Sequence, residues 1–203
     1  LNMCLDHGHT QPYAAVNPEL DIPVVPIMIN CQGGPRPSYR RVADFGRAVG
    51  DAIRSFPADI NVIVMGSGGL SHFLPKMSAD DEGTPEETRD YIINGRERSR
   101  EFNAEKERVS KERRSEGRTG TISEEWDAWF LEMITTNNFE PLHKCTDAEI
   151  EAAAGNGAHE LRSWVAAAAA WGRDIEVVGY EPVPTWITGM GVVGGGICAP
   201  QDK

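Results

Sequence analysis

Residues 22–30 read IPVVPIMIN, residues 38–56 read SYRRVADFGRAVGDAIRSF, and residues 61–65 read NVIVM. The outer two stretches are short, apolar and rich in β-branched residues, the pattern of buried strands. The first is bounded by Asp21 and by Gly33, Gly34 and Pro35, and its Pro23 and Pro26 suit a sheet edge. In the middle stretch Val42, Phe45, Ala48, Val49, Ala52 and Ile53 recur at intervals of three and four, which predicts an amphipathic helix. Strand, helix and strand in that order form the pattern of a parallel βαβ unit. The expected fold class is therefore α/β, a mixed or parallel central sheet flanked by helices.

Moving outward, the glycine-rich segment 66–72 (GSGGLSH) follows the second expected strand directly. Residues 78–118 hold 12 acidic and 10 basic residues and few apolar ones, so they read as a charged helical insertion laced with i,i+4 pairs. Ser123 followed by Glu124 and Glu125 opens a helix with Trp126, Trp129, Phe130, Met133 and Ile134 on one side. Thr146 caps a short helix over 146–154, Gly155 and Gly157 break it, and the alanine-rich stretch 158–171 is strongly helical. Residues 175–193 alternate Pro, Gly and aromatics and read as short strands and turns.

Composition narrows the function classes. The chain has 203 residues, 40% of them apolar and 25% charged, which is globular composition. Its 31 acidic and 20 basic residues give a net charge of -11, the wrong sign for a nucleic-acid partner. Apolar runs are short and interrupted, so no membrane span is expected. Cys4, Cys31, Cys145 and Cys198 are scattered with no C-x-x-C pair, which suits a reducing cytoplasm. The chain opens on Leu1 with neither an initiator Met nor a leader, the start expected of a fragment or a processed product.

Three places could carry chemistry. His7 and His9, in DHGH, could both reach one metal from a strand, since imidazole is a common transition-metal ligand. His72 sits where an expected strand ends in a glycine turn, a position suited to acid-base work near neutral pH. That loop is not a phosphate cradle, because it has no Gly-Lys-Ser/Thr and Pro75 stops a helix from starting at once. Glu160 lies at the start of the alanine-rich stretch, either as a first-turn carboxylate favoured by the helix dipole or as a metal carboxylate. His143 and His159 stand in no pattern and read as structural.

Taken together, DHGHTQPY, IPVVPIMIN, VIVMGSGGLSH, EEWD, GNGAHELRSWVAAAAAW and YEPVPTWITGMG resemble, in order and spacing, the C-terminal two thirds of class III extradiol ring-cleavage dioxygenases. The charged insertion and the GAHELRSWVAA wording look most like the dihydroxyphenylpropionate-cleaving branch. The resemblance implies an oxygen-dependent enzyme that uses Fe(II) to open a catechol ring, on a substrate with a carboxylated side chain that Arg162 or an arginine of residues 36–41 could meet. It implies that His72 is the catalytic base, that His7 donates a proton during ring cleavage, and that Glu160 is the carboxylate of the iron site.

In this family two iron-binding histidines come from a region that precedes DHG, and neither His9 nor His159 matches them. The expectation is thus a single catalytic domain over 1–203 lacking its N-terminal region, which a further polypeptide or partner subunit supplies, within a cytoplasmic homo-oligomer. The competing expectation is a non-catalytic structural or regulatory subunit of the same fold.

Overall fold

The computed structural model describes residues 7–73, 79, 82–98, 100–101, 104, 107–108, 111–112, 115–116 and 121–196. Cys4, Asp6, Pro75, Cys198 and part of the charged stretch 78–118 lie outside the described residues. The helices, in chain order, are α1 (His7–Val16), α2 (Tyr39–Arg54), α3 (Glu86–Asn94), α4 (Glu124–Thr136), α5 (Glu140–His143), α6 (Asp147–Ala154) and α7 (Arg162–Trp171). A 3-10 turn, Asn156–Leu161, leads into α7. Strands β1 (Glu176–Val183) and β2 (Thr188–Gly194) pair antiparallel.

Helix boundaries follow local chemistry. Ser38 caps α2 by accepting a hydrogen bond from the Arg41 amide, and Thr146 with Glu149 forms a reciprocal capping box on α6. The face that α2 buries is Tyr39, Val42, Ala43, Gly46 and Gly50, while Phe45 on the expected apolar stripe stays exposed. Gly46 lies against the Ala166 carbonyl and Gly50 against the Ala170 carbonyl, so a side chain at either would strike the backbone of α7. These two glycines set how near α2 and α7 approach. Beneath them Trp126 stacks on Phe130 at 5.6 Å, and Phe130 meets Trp164 edge-on at 6.2 Å. The charged insertion is helical over most of its described residues, turns at 79, 82–84 and 116 apart, with the expected pairs Arg108–Glu112 at 3.1 Å and Lys111–Glu107 at 2.8 Å.

The expected βαβ unit forms only its helix. Residues 22–30 and 61–65 carry no strand assignment, and the sheet among the described residues is the β1–β2 pair, so the central parallel sheet is not formed by them. The reason is a lack of neighbours. Pro23 and Pro26 have no N–H to donate, and Val24, Val25, Ile27, Met28, Val62 and Ile63 point their side chains to solvent. The core lies on the other side of α2 and α7, toward α4, α5 and α6. Among the described residues no helix is long and apolar enough to cross a membrane.

Candidate active site

His72 is held from every side. Its backbone amide donates to the Ala154 carbonyl at 2.9 Å, and its own carbonyl accepts from the Gly157 amide at 3.1 Å. The ring is buried at 6% exposure, with Gly69 and Gly157 so near that a Cβ at either would press on the imidazole. Its Nδ1 lies 2.6 Å from the Leu70 carbonyl. A carbonyl oxygen can only accept, so Nδ1 carries the hydrogen, and in the neutral ring Nε2 keeps its lone pair.

That lone pair faces Glu160. Nε2 and Glu160 Oε2 are 3.9 Å apart, beyond hydrogen-bond reach. The 3-10 turn projects the Glu160 carboxylate toward the 66–72 loop, where Oε2 accepts from the Gly69 amide at 3.2 Å and Oε1 accepts from Gln32 at 3.3 Å. Gly68 has φ +148 and a Cβ there would meet the Glu160 side chain, so this crossing needs glycine. Trp164 Nε1 donates to the Gly68 carbonyl at 3.1 Å, and Ser163 bonds the Ser67 carbonyl, tying the loop to α7. Two acceptors that face each other across a short gap suit a group carrying a proton or a positive charge between them.

Behind Glu160 lies an ionic clamp built around two buried side chains, Arg162 and His159. Arg162 is 1% exposed, donates to the Pro37 carbonyl at 2.8 Å and Asp147 at 2.6 Å, places Nη1 2.7 Å from His159 Nδ1, and lies over the Tyr39 ring. Since the guanidinium only donates, His159 Nδ1 accepts and its Nε2 donates to Glu151 at 2.9 Å. Burial, together with the neighbouring guanidinium charges, holds His159 below its ordinary pKa against the pull of Glu151. Burial pushes Asp147 upward, but hydrogen bonds from Arg36 and Arg162 overcome it and hold the carboxyl below its ordinary range. Arg36 closes the clamp on Asp147 and Glu151 and binds the carbonyls of Cys31 and Gln32, which delivers Gln32 to Glu160. Arg162 therefore supports the Glu160 turn from behind with its donors already engaged, and a role in meeting a substrate carboxylate does not suit it. Burial also pushes the Cys31 thiol up to about 11, so it stays a neutral thiol.

The site residues named from sequence divide. His72 and Glu160 come together. His7 is exposed on α1, and among the described residues no hydrogen bond or ion pair joins it to either of them. His7 and His9 lie on a helix rather than a strand, so residues two apart do not share a face. His9 instead approaches the Ile27 carbonyl at 3.3 Å. No group of three or more His, Cys, Asp or Glu able to hold a metal occurs among the described residues.

Sequence reasoning passed over a second buried carboxylate. Asp127 on α4 is 0% exposed and accepts from the Ser71 amide at 2.7 Å, the Ser71 hydroxyl at 2.9 Å and the Tyr180 hydroxyl at 2.9 Å. The signal was present: Asp127 stands three and seven residues before Phe130 and Ile134, an acid on the apolar stripe of its helix.

The chain is similar to enzymes named 2,3-dihydroxyphenylpropionate/2,3-dihydroxicinnamic acid 1,2-dioxygenase. The one from Photorhabdus laumondii is 33% identical over 207 residues, covering 94% of this chain and 62% of the relative. The one from Xanthobacter autotrophicus is 34% identical over 200 residues, covering 93% of this chain and 63% of the relative. The chain thus spans less than two thirds of the length of these relatives. Residues 1–191 match the model of the catalytic LigB subunit of aromatic ring-opening dioxygenase, and the chain belongs to that family.

Proposed function

We propose that this chain is the larger part of an Fe(II)-dependent extradiol dioxygenase that opens a catechol ring with O2, on a substrate with a carboxylated side chain such as a dihydroxyphenylpropionate. The observation that carries the reading is the pairing of His72 Nε2 with Glu160 Oε2 across 3.9 Å, with Nδ1 committed to the Leu70 carbonyl. An imidazole so fixed offers one lone pair toward a substrate hydroxyl and can take its proton at Nε2. Membership of the family supports the reaction class.

Glu160 fits the carboxylate of an iron site in kind, being an oxygen donor on a braced turn whose oxygens are held by Gln32 and the Gly69 amide beside His72. No group of three metal-binding side chains is present among the described residues; on this reading the other ligands of a facial set come from a further polypeptide. Bound iron would supply a place for the catechol oxygens and for O2. In this chain His72 removes a catechol proton, and His7 donates one during ring cleavage once α1 is drawn to the site. The completing polypeptide also supplies strands that pair with residues 22–30 and 61–65, giving the central sheet of an α/β domain. The assembly works as a homo-oligomer in the cytoplasm, where Cys31 and Cys145 remain free thiols.

The test uses the complete gene product, loaded with Fe(II) without oxygen, given 2,3-dihydroxyphenylpropionate and then air. A yellow ring-fission product is expected, and His72→Ala should slow it by about 10²- to 10⁴-fold. Glu160→Ala should lose iron by metal analysis. Turnover near wild type in His72→Ala overturns the base assignment; no product from wild type with iron bound leaves the non-catalytic subunit as the reading.

A further inference from the structure

The dioxygenase reading uses His72 and Glu160 but leaves unexplained why a carboxylate, Asp127, is fully buried one residue away from the imidazole in the hydrogen-bond chain. Its three bonds come from two segments, the 66–72 loop and β1. Oδ1 takes the Ser71 amide, and Oδ2 takes both the Ser71 hydroxyl and Tyr180 of β1. The Ser71 oxygen in turn accepts from the Ser123 amide at 2.9 Å, so its single hydrogen is directed to Asp127. The same segment is sewn to β2, because the Leu70 amide donates to the Gly189 carbonyl and the Gly189 amide donates to the Ser71 carbonyl, each at 3.1 Å. Gly189 is required here, since a Cβ would strike Asp127 Oδ2.

These contacts fix the Leu70–Ser71–His72 backbone, and that backbone fixes the ring. Leu70 supplies the carbonyl that captures His72 Nδ1–H, and Ser71 is the residue joining the two. A buried carboxylate is costly to desolvate even when a serine amide and hydroxyl anchor it. Burial indeed raises the Asp127 pKa against the pull of its donors. A scaffold could fill this place with a leucine. We propose that Asp127 is a positioning residue for His72: by clamping Ser71 to α4 and β1 it holds the imidazole in the Nδ1–H tautomer with Nε2 turned to Glu160. Its catalytic meaning rests on the dioxygenase reading, whereas its effect on the ring does not.

The experiment follows the His72 ring nitrogens by ¹⁵N NMR in the complete gene product, alongside steady-state ring cleavage with Fe(II) and 2,3-dihydroxyphenylpropionate. Asp127→Asn keeps the shape but turns one acceptor into a donor facing the Ser71 amide or the two hydroxyls. It should mix the His72 tautomers and lower kcat by about 10²-fold, with KM and iron content near wild type. Tyr180→Phe, which keeps the carboxylate and removes one donor, should lower kcat by about fivefold and decides the matter if Asp127→Asn does not fold. An unmixed Nδ1–H tautomer with unchanged kcat in the folded variant overturns the proposal. Equal loss of KM, iron and melting temperature overturns it too, because that pattern belongs to a merely structural residue. Tautomer mixing in a protein whose wild type opens no ring upholds the role of Asp127 and overturns the dioxygenase reading instead.

Discussion

The two sides of the α2–α7 helix pair are built on opposite terms. On the inner side, the buried polar groups around the site are paired: Arg162 with Asp147 and His159, His159 with Glu151, Asp127 with Ser71 and Tyr180, His72 with Leu70. On the outer side, the runs 22–28 and 60–65 turn Val25 (85% exposed) and Ile63 (71% exposed) to solvent. Between those runs and the helices lies a hollow of about 60 Å³ lined by Ile27, Phe45, Val49, Val64 and Ala167. Buried polar groups are tolerated only when satisfied, and large apolar clusters stay exposed only when something else is meant to cover them. The inner side is thus closed by its own residues, and the outer side is an apolar surface left for the proposed completing polypeptide to cover.

The sharpest way to break the inner side is Arg162→Ala. It removes a guanidinium that is 1% exposed, leaving His159 Nδ1 without its donor and Asp147 with Arg36 alone. Removing one partner of a fully buried ionic network costs about 3–5 kcal/mol; with the Asp147 carboxylate 43% exposed, urea unfolding should show a smaller loss of about 2 kcal/mol, with Glu160 released from its brace. A loss below about 1 kcal/mol, the range of exposed ion pairs, would show that the clamp is solvated and the contrast between the two sides is weaker than drawn.

Acid probes the same clamp more gently. Asp147 has its folded pKa lowered, so the stability it lends is present above the ordinary carboxylate range and lost as pH falls through it. His159 is also lowered, so the folded state resists its protonation and stability declines as pH drops below about 6.5. Both act in one direction. Melting temperature should therefore fall from pH 7 toward pH 4, and His159→Gln should flatten the upper part of that decline. A pH profile unchanged by His159→Gln would remove the imidazole from the account.

What could be read from the residues alone follows the range of the forces involved. The ends of α2 and α6 were legible because Ser38, Thr146 and Glu149 act within four residues of themselves. His72 and Glu160 were legible because glycines and a resemblance marked them. The 3-10 turn that aims Glu160 was not, because it comes from Gly155 and Gly157 closing around the His72 backbone, a contact about eighty residues distant in sequence. The strands at 22–30 and 61–65 were read from their β-branched content, yet a strand exists only with a neighbour to pair with, and no described residue supplies one. The helical face of α2 was misjudged by about one residue for a related reason: periodicity finds apolar residues, but only packing tells that Gly46 and Gly50, rather than Phe45, meet α7.

The smallest effect belongs to the outer side, and it tests the contrast most directly. Val25→Lys places a charge on a run where the valine is already 85% exposed and flanked by Pro23 and Pro26. Among the described residues little packs on that side chain, so the chain's own unfolding free energy should change by no more than about 0.5 kcal/mol, as for surface positions generally. A lysine on an open strand also discourages edge pairing, so the same substitution should reduce association with any polypeptide that adds strands there, read as weaker co-elution on a sizing column. A large loss of intrinsic stability would mean that residues 22–28 already belong to the folded core, and the outer side would then be closed in the same sense as the inner one. An unchanged elution profile with unchanged stability would leave the run open but unused, and the central sheet would have to be completed elsewhere.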